Sequence, residues 1–463
     1  MSLVSDYFRR WQHRRKIRPW ALAGPVILLM ICLPLLRPLR HPAQIGDDER
    51  ARLATIRALV ERHTLAIAPA EDLLPASHTI AANHKSYSDQ PPLFSVILAG
   101  PYWIMRRFGT SFRDNPVLVP YLLTLIGVTL PVAGAAGLIY RMGRLFELPR
   151  VWRSALGLCV VLASGLISYA VVLNSLAPAA VLVLAAAGCI IHVASAKRAT
   201  RSGAWLALSG SCAALAATLD PSVIILTALL GVCVATVRAT PARRAGAVLL
   251  YLLGALPPIA IHSALIVPIS GHILPHSFAR ELGRPAQASL DGEGDDDADR
   301  AVDSVRRFLD RLYTGLIGSH GLFSHFPILI LGLAGVGAVM HRNWMPSTKM
   351  LAAGSAAGMG GIVGLYCYSR ADWSDAMFAA RWWIVFSPLL LFWIGAWARK
   401  NHTRAGLGIA AALLCFSALV GLIGATGPCP PGGFDRYTVA GALRNLMKAD
   451  SNASEPPALA SQR

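Results

Sequence analysis

Apolar runs of roughly 15 to 25 residues recur along this chain, and a run of that length is what a helix needs to cross ~30 Å of hydrocarbon. Twelve can be read: Trp20–Leu36, Pro92–Met105, Val117–Tyr140, Leu156–Leu173, Ala177–Ala194, Gly203–Leu219, Val223–Val237, Gly246–Ile269, Gly321–Met340, Met350–Tyr368, Trp382–Trp397 and Ala405–Thr426. With 54% hydrophobic and 15% charged residues, a soluble domain is excluded. The expected fold class is all-α, a polytopic transmembrane helical bundle of about 11–13 spans. Residues 1–426 read as one membrane domain with outer loops 40–91, 269–320 and 369–381. Residues 427–463 read as a short polar tail, expected to be disordered.

The net charge of +18 invites a nucleic-acid reading, but its distribution argues against one. Basic residues gather at span ends: Arg9, Arg10, Arg14, Arg15, Lys16 and Arg18 before the first run, Arg238, Arg243 and Arg244 before the eighth, Arg399, Lys400 and Arg404 before the last. That is the positive-inside bias, with added attraction to anionic membrane lipids. No nucleic-acid partner is expected. The basic prefix is long and Arg37-Pro38-Leu39-Arg40 lacks a small-residue cleavage site, so the first run reads as an uncleaved anchor. Seven of eight cysteines lie inside apolar runs and Cys429 alone in a polar segment, so no disulfide framework is expected.

The expected location is the cell (inner) membrane, with a cytoplasmic N-terminus and the loop after the first run outside. The basic segments around Met340–Lys349 and Ala398–Arg404 give the same polarity from the other half. These anchors demand an odd number of crossings, and twelve is even. The conflict lies between Pro92 and Arg201, where Arg106, Arg107, Arg141, Arg144, Arg150, Lys197 and Arg198 cannot all be cytoplasmic in simple alternation. One run there must be two short helices, a re-entrant segment, or no span.

The chemistry is concentrated in the first outer loop, which opens with Gly46-Asp47-Asp48-Glu49-Arg50 and closes with Tyr87-Ser88-Asp89-Gln90-Pro91-Pro92-Leu93. Adjacent carboxylates beside low dielectric are costly, and burial with mutual repulsion is expected to raise at least one of their pKa values. Leu53, Ile56 and Val60 fall at helical spacing with arginines around them, as in a helix lying at the lipid interface; packing on the bundle fits the pattern equally. Asp47 or Asp48 could also serve simply as a helix cap. The second outer loop carries Asp291-Gly292-Glu293-Gly294-Asp295-Asp296-Asp297, whose spacing misses a calcium loop and reads as a solvated linker. Histidines at 63, 78, 84, 272, 276, 320 and 325 form no zinc-protease pattern. Asn174 and Asp220, each close to a proline, read as helix-end caps.

The run from Asp48-Glu49-Arg50 through Val60 resembles the acidic first-loop signature of GT-C glycosyltransferases, the protein-mannosyltransferase and aminoarabinose-transferase-like membrane enzymes. Ser88-Asp89-Gln90-Pro91-Pro92-Leu93 resembles their Lys-Pro-Pro-Leu motif, with glutamine in place of lysine. Gly318-Ser319-His320-Gly321-Leu322-Phe323-Ser324, and Trp373 through Phe378-Ala379-Ala380-Arg381-Trp382, are weaker echoes. The resemblance implies transfer of a sugar from a polyprenyl-phosphate-linked donor to a lipid, glycan or protein acceptor on the outer face. It makes Asp48 the candidate base, with Asp47 the alternative and Glu49 in support. Arg381, with Lys85 and Arg370 behind it, would meet the donor phosphate, alongside Gln90. Pro91 and Pro92 would shape the entry to the next helix. An arginine flanked by Trp382 and Trp383 is equally an interfacial anchor. No metal ligands are assigned; members of the family differ in metal use, so a divalent metal stays an open alternative. The rival readings are a transporter or lipid flippase, and a catalytically inactive relative.

Overall fold

The computed structural model describes residues 45–68, 74, 78–195, 202–237, 241–275, 278, 297–318, 321–369, 378, 381–399 and 403–426. The run Trp20–Leu36 with its basic prefix, the acidic stretch up to Asp296, Lys197, Arg198, His276, His320, Arg370 and the tail 427–463 lie outside the described residues. The described part is a helical bundle with one small β-hairpin, as the apolar runs require. Among the described residues six helices are long and apolar enough to cross a membrane: Leu118–Phe146, Leu176–Ser195, Ser202–Leu219, Ala242–Ser270, Pro346–Ser369 and Ala405–Ala425. Shorter apolar helices, Pro221–Ala235, Leu329–Met340 and Ser387–Ala398, pack among them.

Two expected spans are broken helices. The run Leu156–Leu173 divides into Arg150–Leu162 and Leu166–Tyr169 at Gly165. Gly165 sits at φ 82°, a left-handed conformation glycine adopts without strain, and a side chain there would meet Phe326. The run Trp382–Trp397 begins as a 3₁₀ turn, Arg381–Val385, and continues as short helices ending at Ala398. Its backbone is irregular where Trp382, Trp383, Phe386 and Phe392 are buried in protein, the setting in which such backbone is tolerated at membrane depth.

Helix–helix contact is closest where glycines face backbone. A Cβ on Gly210 would stand 1.8 Å from the Tyr251 carbonyl oxygen, and one on Gly254 would stand 1.9 Å from that of Ala207. The helices Ser202–Leu219 and Pro241–Ser270 therefore meet backbone to backbone through reciprocal glycines, the small-residue packing expected between membrane helices.

The first loop forms helix α1 (Asp47–Glu61), then the antiparallel hairpin of β1 (Thr79–Ala82) and β2 (Lys85–Ser88), then helix α2 (Pro92–Arg107). Leu53, Ile56 and Val60 of α1 join the main core. Ala51, Ala54 and Ala58 are covered on another side by Ile67 and Leu74. The α1 helix is thus sandwiched within protein, which selects packing on the bundle over a helix lying at the lipid interface.

Helix α2 corrects a second expectation. It runs parallel and alongside α1: Ser95 donates to the Arg52 carbonyl at 3.4 Å, Tyr102 to Glu61, and Arg106 to the Val60 carbonyl at 3.1 Å. A helix tied along its length to the polar α1 shares its layer, and 16 residues rise only about 24 Å. The run Pro92–Met105 is therefore a helix lying along α1, and it is not among the membrane-length helices of the described residues.

Contacts fix two ends of the bundle. At one end α1 meets Leu173, Ser175 and Arg381. At the other, Arg399 donates to Glu147 at 2.7 Å and lies over the Trp344 ring. Arg381 and Arg399 bracket a single segment, so that segment runs from one end to the other.

Candidate active site

Helix α1 starts at Gly46, whose extended backbone (φ −70°, ψ 160°) carries no side-chain cap. Asp47, Asp48 and Glu49 consequently occupy the first turn, where the helix dipole favours negative charge, and neither aspartate is the cap. Successive helical residues point about 100° apart, so the three carboxylates have separate fates. Asp47 faces out and pairs with Arg50 at 2.9 Å. Glu49 is buried and accepts the backbone N–H of Leu173 at 3.0 Å, tying α1 to the loop after the broken helix. Asp48 alone faces the cluster.

The Asp48 carboxylate accepts from Arg381 Nη1 at 2.7 Å through Oδ2, and from Gln90 Nε2 at 3.0 Å through Oδ1. Arg381 stands 333 positions further along the chain, at the start of the irregular segment that leads into the core. The pair is sheltered, with 23% of the Asp48 side chain and 18% of that of Arg381 exposed. Gln90 also donates to Asp89 at 3.2 Å and accepts from Arg52 Nη2 at 2.7 Å. Arg52 reaches Ser175 at 3.1 Å and the Asp48 carbonyl at 3.1 Å. His78 completes the group, its Nδ1 3.5 Å from Asp48 Oδ1 and 3.7 Å from Asp89 Oδ2.

Electrostatics follow from this geometry. Burial by itself would raise the Asp48 carboxyl, but Arg381 and Arg52, the hydrogen bond from Arg381, and His78 outweigh it and hold it at about 2. The expectation of an upward shift is reversed for Asp48, because the opposing charges come from cations the sequence does not place beside it. His78 moves upward from its ordinary value: the Asp89 carboxylate facing its ring leads, burial opposes, and Asp48 and Asp47 add to the rise.

Of the residues singled out in the sequence, Asp48, Gln90 and Arg381 are brought together. Lys85 is exposed on β2, outside the Asp48 cluster, so the cation beside Gln90 is Arg52 and not the nearby lysine. Pro91 and Pro92 set the entry to α2: Pro91 is the residue before its first turn (φ −53°, ψ 121°), and Pro92 fills a position whose N–H has no helical partner. Arg52, His78, Asp89 and Ser175 escape the sequence reading. Arg52 could have been found, since it lies one helical turn from Asp48. Asn174 caps the helix Leu176–Ser195 by accepting from Ala177, and Asp220 caps the turn at Pro221 by accepting from Ser222, as expected for both.

Beside Asp89 and Gln90 opens a small cleft, walled by Thr55, Tyr87, Ser88 and Pro92 on the loop side. Ile266, Ile269 and Ser270, at the end of a membrane-length helix, form its other wall.

No protein-family model matches this chain, and no curated protein sequence matches it. Among solved structures it is similar to the oligosaccharyltransferase of Archaeoglobus fulgidus in complex with zinc and sulfate, with a TM-score of 0.52 and 13% identity over 93% of this chain. The apo form of that protein gives a TM-score of 0.52 and 11% identity over 95%. The chain spans 56% and 61% of the length of those two structures. ArnT from Cupriavidus metallidurans, bound to undecaprenyl phosphate, aligns over 93% of this chain and 78% of its own, with a TM-score of 0.49 and 15% identity. The chain therefore shares the fold of the archaeal oligosaccharyltransferase over nearly its whole length.

Proposed function

We propose that this protein is a membrane glycosyltransferase that moves a sugar from a polyprenyl-phosphate-linked donor to an acceptor hydroxyl on the outer face of the membrane. The observation that carries this reading is the sheltered Asp48–Arg381 contact, which joins the two sequence segments that bear the family resemblance. A fold shared with a sugar-transferring membrane enzyme supports it. The ArnT structure holds undecaprenyl phosphate, the class of carrier invoked here. By the positive-inside rule, the end bearing Arg399, Arg144 and Arg150 faces the cytoplasm, so the Asp48 end faces outward.

In the resting site Asp48 is a poor base, because Arg381 holds it ionised. The donor phosphodiester offers Arg381 an anionic partner whose two non-bridging oxygens suit bidentate geometry, and its charge grows as the sugar leaves. As Arg381 turns to the phosphate, Asp48 loses its largest opposing charge, and burial raises its affinity for a proton. The acceptor then loses its proton to Asp48 while the leaving phosphate gains charge against Arg381. Arg52 and Gln90 keep Asp48 in place during the exchange. Glu49 supports it indirectly by fixing the helix start.

The archaeal oligosaccharyltransferase structure contains zinc, but the residues around Asp48 do not fit a divalent ion. Both carboxylate oxygens are engaged, and the Arg381 and Arg52 guanidiniums set two positive charges where a cation would sit. No step is assigned to a metal.

The test is transfer in proteoliposomes from radiolabelled undecaprenyl monophosphate sugars, for wild type, Asp48→Asn and Arg381→Ala. Turnover by wild type with at least 100-fold loss in both variants supports the reading. Undiminished turnover in Asp48→Asn would remove Asp48 from it.

A further inference from the structure

The lysine of the resembled motif is replaced here by Gln90, and the neutral side chain has a consequence. Its amide donates to Asp48 and to Asp89, holding two carboxylates at a fixed spacing without neutralising either. Into that gap projects His78, from the turn that opens β1. Its Nδ1 is buried and faces both carboxylates, while the side chain as a whole is 22% exposed. A backbone hydrogen bond from the Asp89 N–H to the His78 carbonyl, at 3.2 Å, fixes the two residues relative to each other.

We propose that His78 is the proton outlet of the site: it receives from Asp48 the proton that the acceptor gives up, and releases it to solvent. This inference rests on the transferase reading above. The acceptor O–H bond breaks as its oxygen bonds to the anomeric carbon. The bond from that carbon to the phosphate oxygen breaks, with its electron pair leaving on the phosphate beside Arg381. The proton rests on Asp48 Oδ1 and passes to His78 Nδ1, across 3.5 Å that one water or a slight ring turn closes. The imidazolium then gives up a proton to water and returns to the neutral ring with Nδ1 free to accept, while the backbone bond from Asp89 keeps His78 in position.

The charged groups around His78 are Asp89 at the hairpin end and Asp48 and Asp47 on α1, with Arg381 and Arg52 beyond Asp48. The carboxylates favour the protonated ring, so its titration lies above the ordinary histidine value. A protonated ring cannot accept, so turnover is low below that pH and rises through it. A lysine at position 90 would lower the titration by adding positive charge next to the ring.

The experiment uses the full chain in proteoliposomes, with radiolabelled undecaprenyl monophosphate sugars as donors and water together with hydroxyl-bearing lipids, glycans and peptides as acceptors, and records turnover against pH. Wild type should show an acidic limb above pH ~6.5. His78→Gln should lose about 10- to 100-fold at the plateau and lose that limb, with imidazole restoring part of the rate in His78→Gly. Gln90→Lys should move the limb to lower pH. A His78→Gln enzyme that keeps the limb unchanged would overturn the role of His78 while leaving the transferase reading intact. Absence of turnover in wild type with every donor would overturn the transferase reading, and this inference with it.

Discussion

The two ends of the bundle each carry an arginine–carboxylate pair at 2.7 Å, and they differ in nearly everything else. Arg399–Glu147 is open to water, with side chains 41% and 61% exposed, and the arginine also rests on Trp344. Arg381–Asp48 is sheltered, and Asp48 touches Gln90, His78 and the reach of Arg52 as well. Equal distance therefore hides unequal meaning. An exposed pair is screened and contributes roughly 0–1 kcal/mol. A sheltered pair inside a hydrogen-bonded network sets the protonation of its members, which is what a site for group transfer requires.

The sharpest way to break this contrast is to remove one partner at each end and compare. Asp48→Asn and Arg381→Ala should each lower sugar transfer by at least 100-fold, about 2.7 kcal/mol at the barrier, whereas Glu147→Gln and Arg399→Ala should stay within about twofold. Arg52→Ala comes next. It removes the contacts to Gln90, Ser175 and the Asp48 carbonyl, and a charged hydrogen-bond donor of this kind contributes about 1.5–3 kcal/mol. Activity should fall about 10- to 100-fold, with a smaller effect on the melting temperature.

Gly210→Val tests the bundle apart from the site. Its side chain would strike the Tyr251 backbone, so stability should fall by about 1–3 kcal/mol in thermal melts, with residual folded protein keeping its transfer rate. The pH dependence is subtler. Asp48 is held at about 2, below its ordinary value of 3.8, so its contribution to stability is complete above ~pH 4 and is lost as pH falls through 2. Melting curves between pH 2 and 5 should show that loss in wild type, and less of it in Asp48→Asn. Glu147→Gln, the smallest effect, should shift the melting temperature by no more than a degree or two.

The same contrast explains what was legible in the sequence. Helix α1 and its acidic start could be read directly, because the helical spacing of Leu53, Ile56 and Val60 follows the three carboxylates. The pairing of Asp48 with Arg381 was within reach only through motif resemblance, since 333 positions separate them. Hydropathy marked Pro92–Met105 as a span because apolar composition reports burial, not direction; its bonds to α1 decide direction. Leu156–Leu173 looked continuous because Gly165 breaks the helix by its conformation, without altering the run's apolar character. His78 and Asp89 were missed as a pair because only the hairpin brings them together. The broader lesson is electrostatic. Neighbouring carboxylates predict repulsion in sequence, while the fold supplies arginines that reverse the sign.

The most direct test of this account is a double-mutant comparison of Asp48 and Arg381, measured as transfer from a radiolabelled undecaprenyl monophosphate sugar. Each single variant should lose at least 100-fold, and the double variant should lose little more than either alone, because the two act as one unit. Single losses that multiply in the double variant would show two independent residues, and wild-type rates in Asp48→Asn would contradict the central role given to the pair.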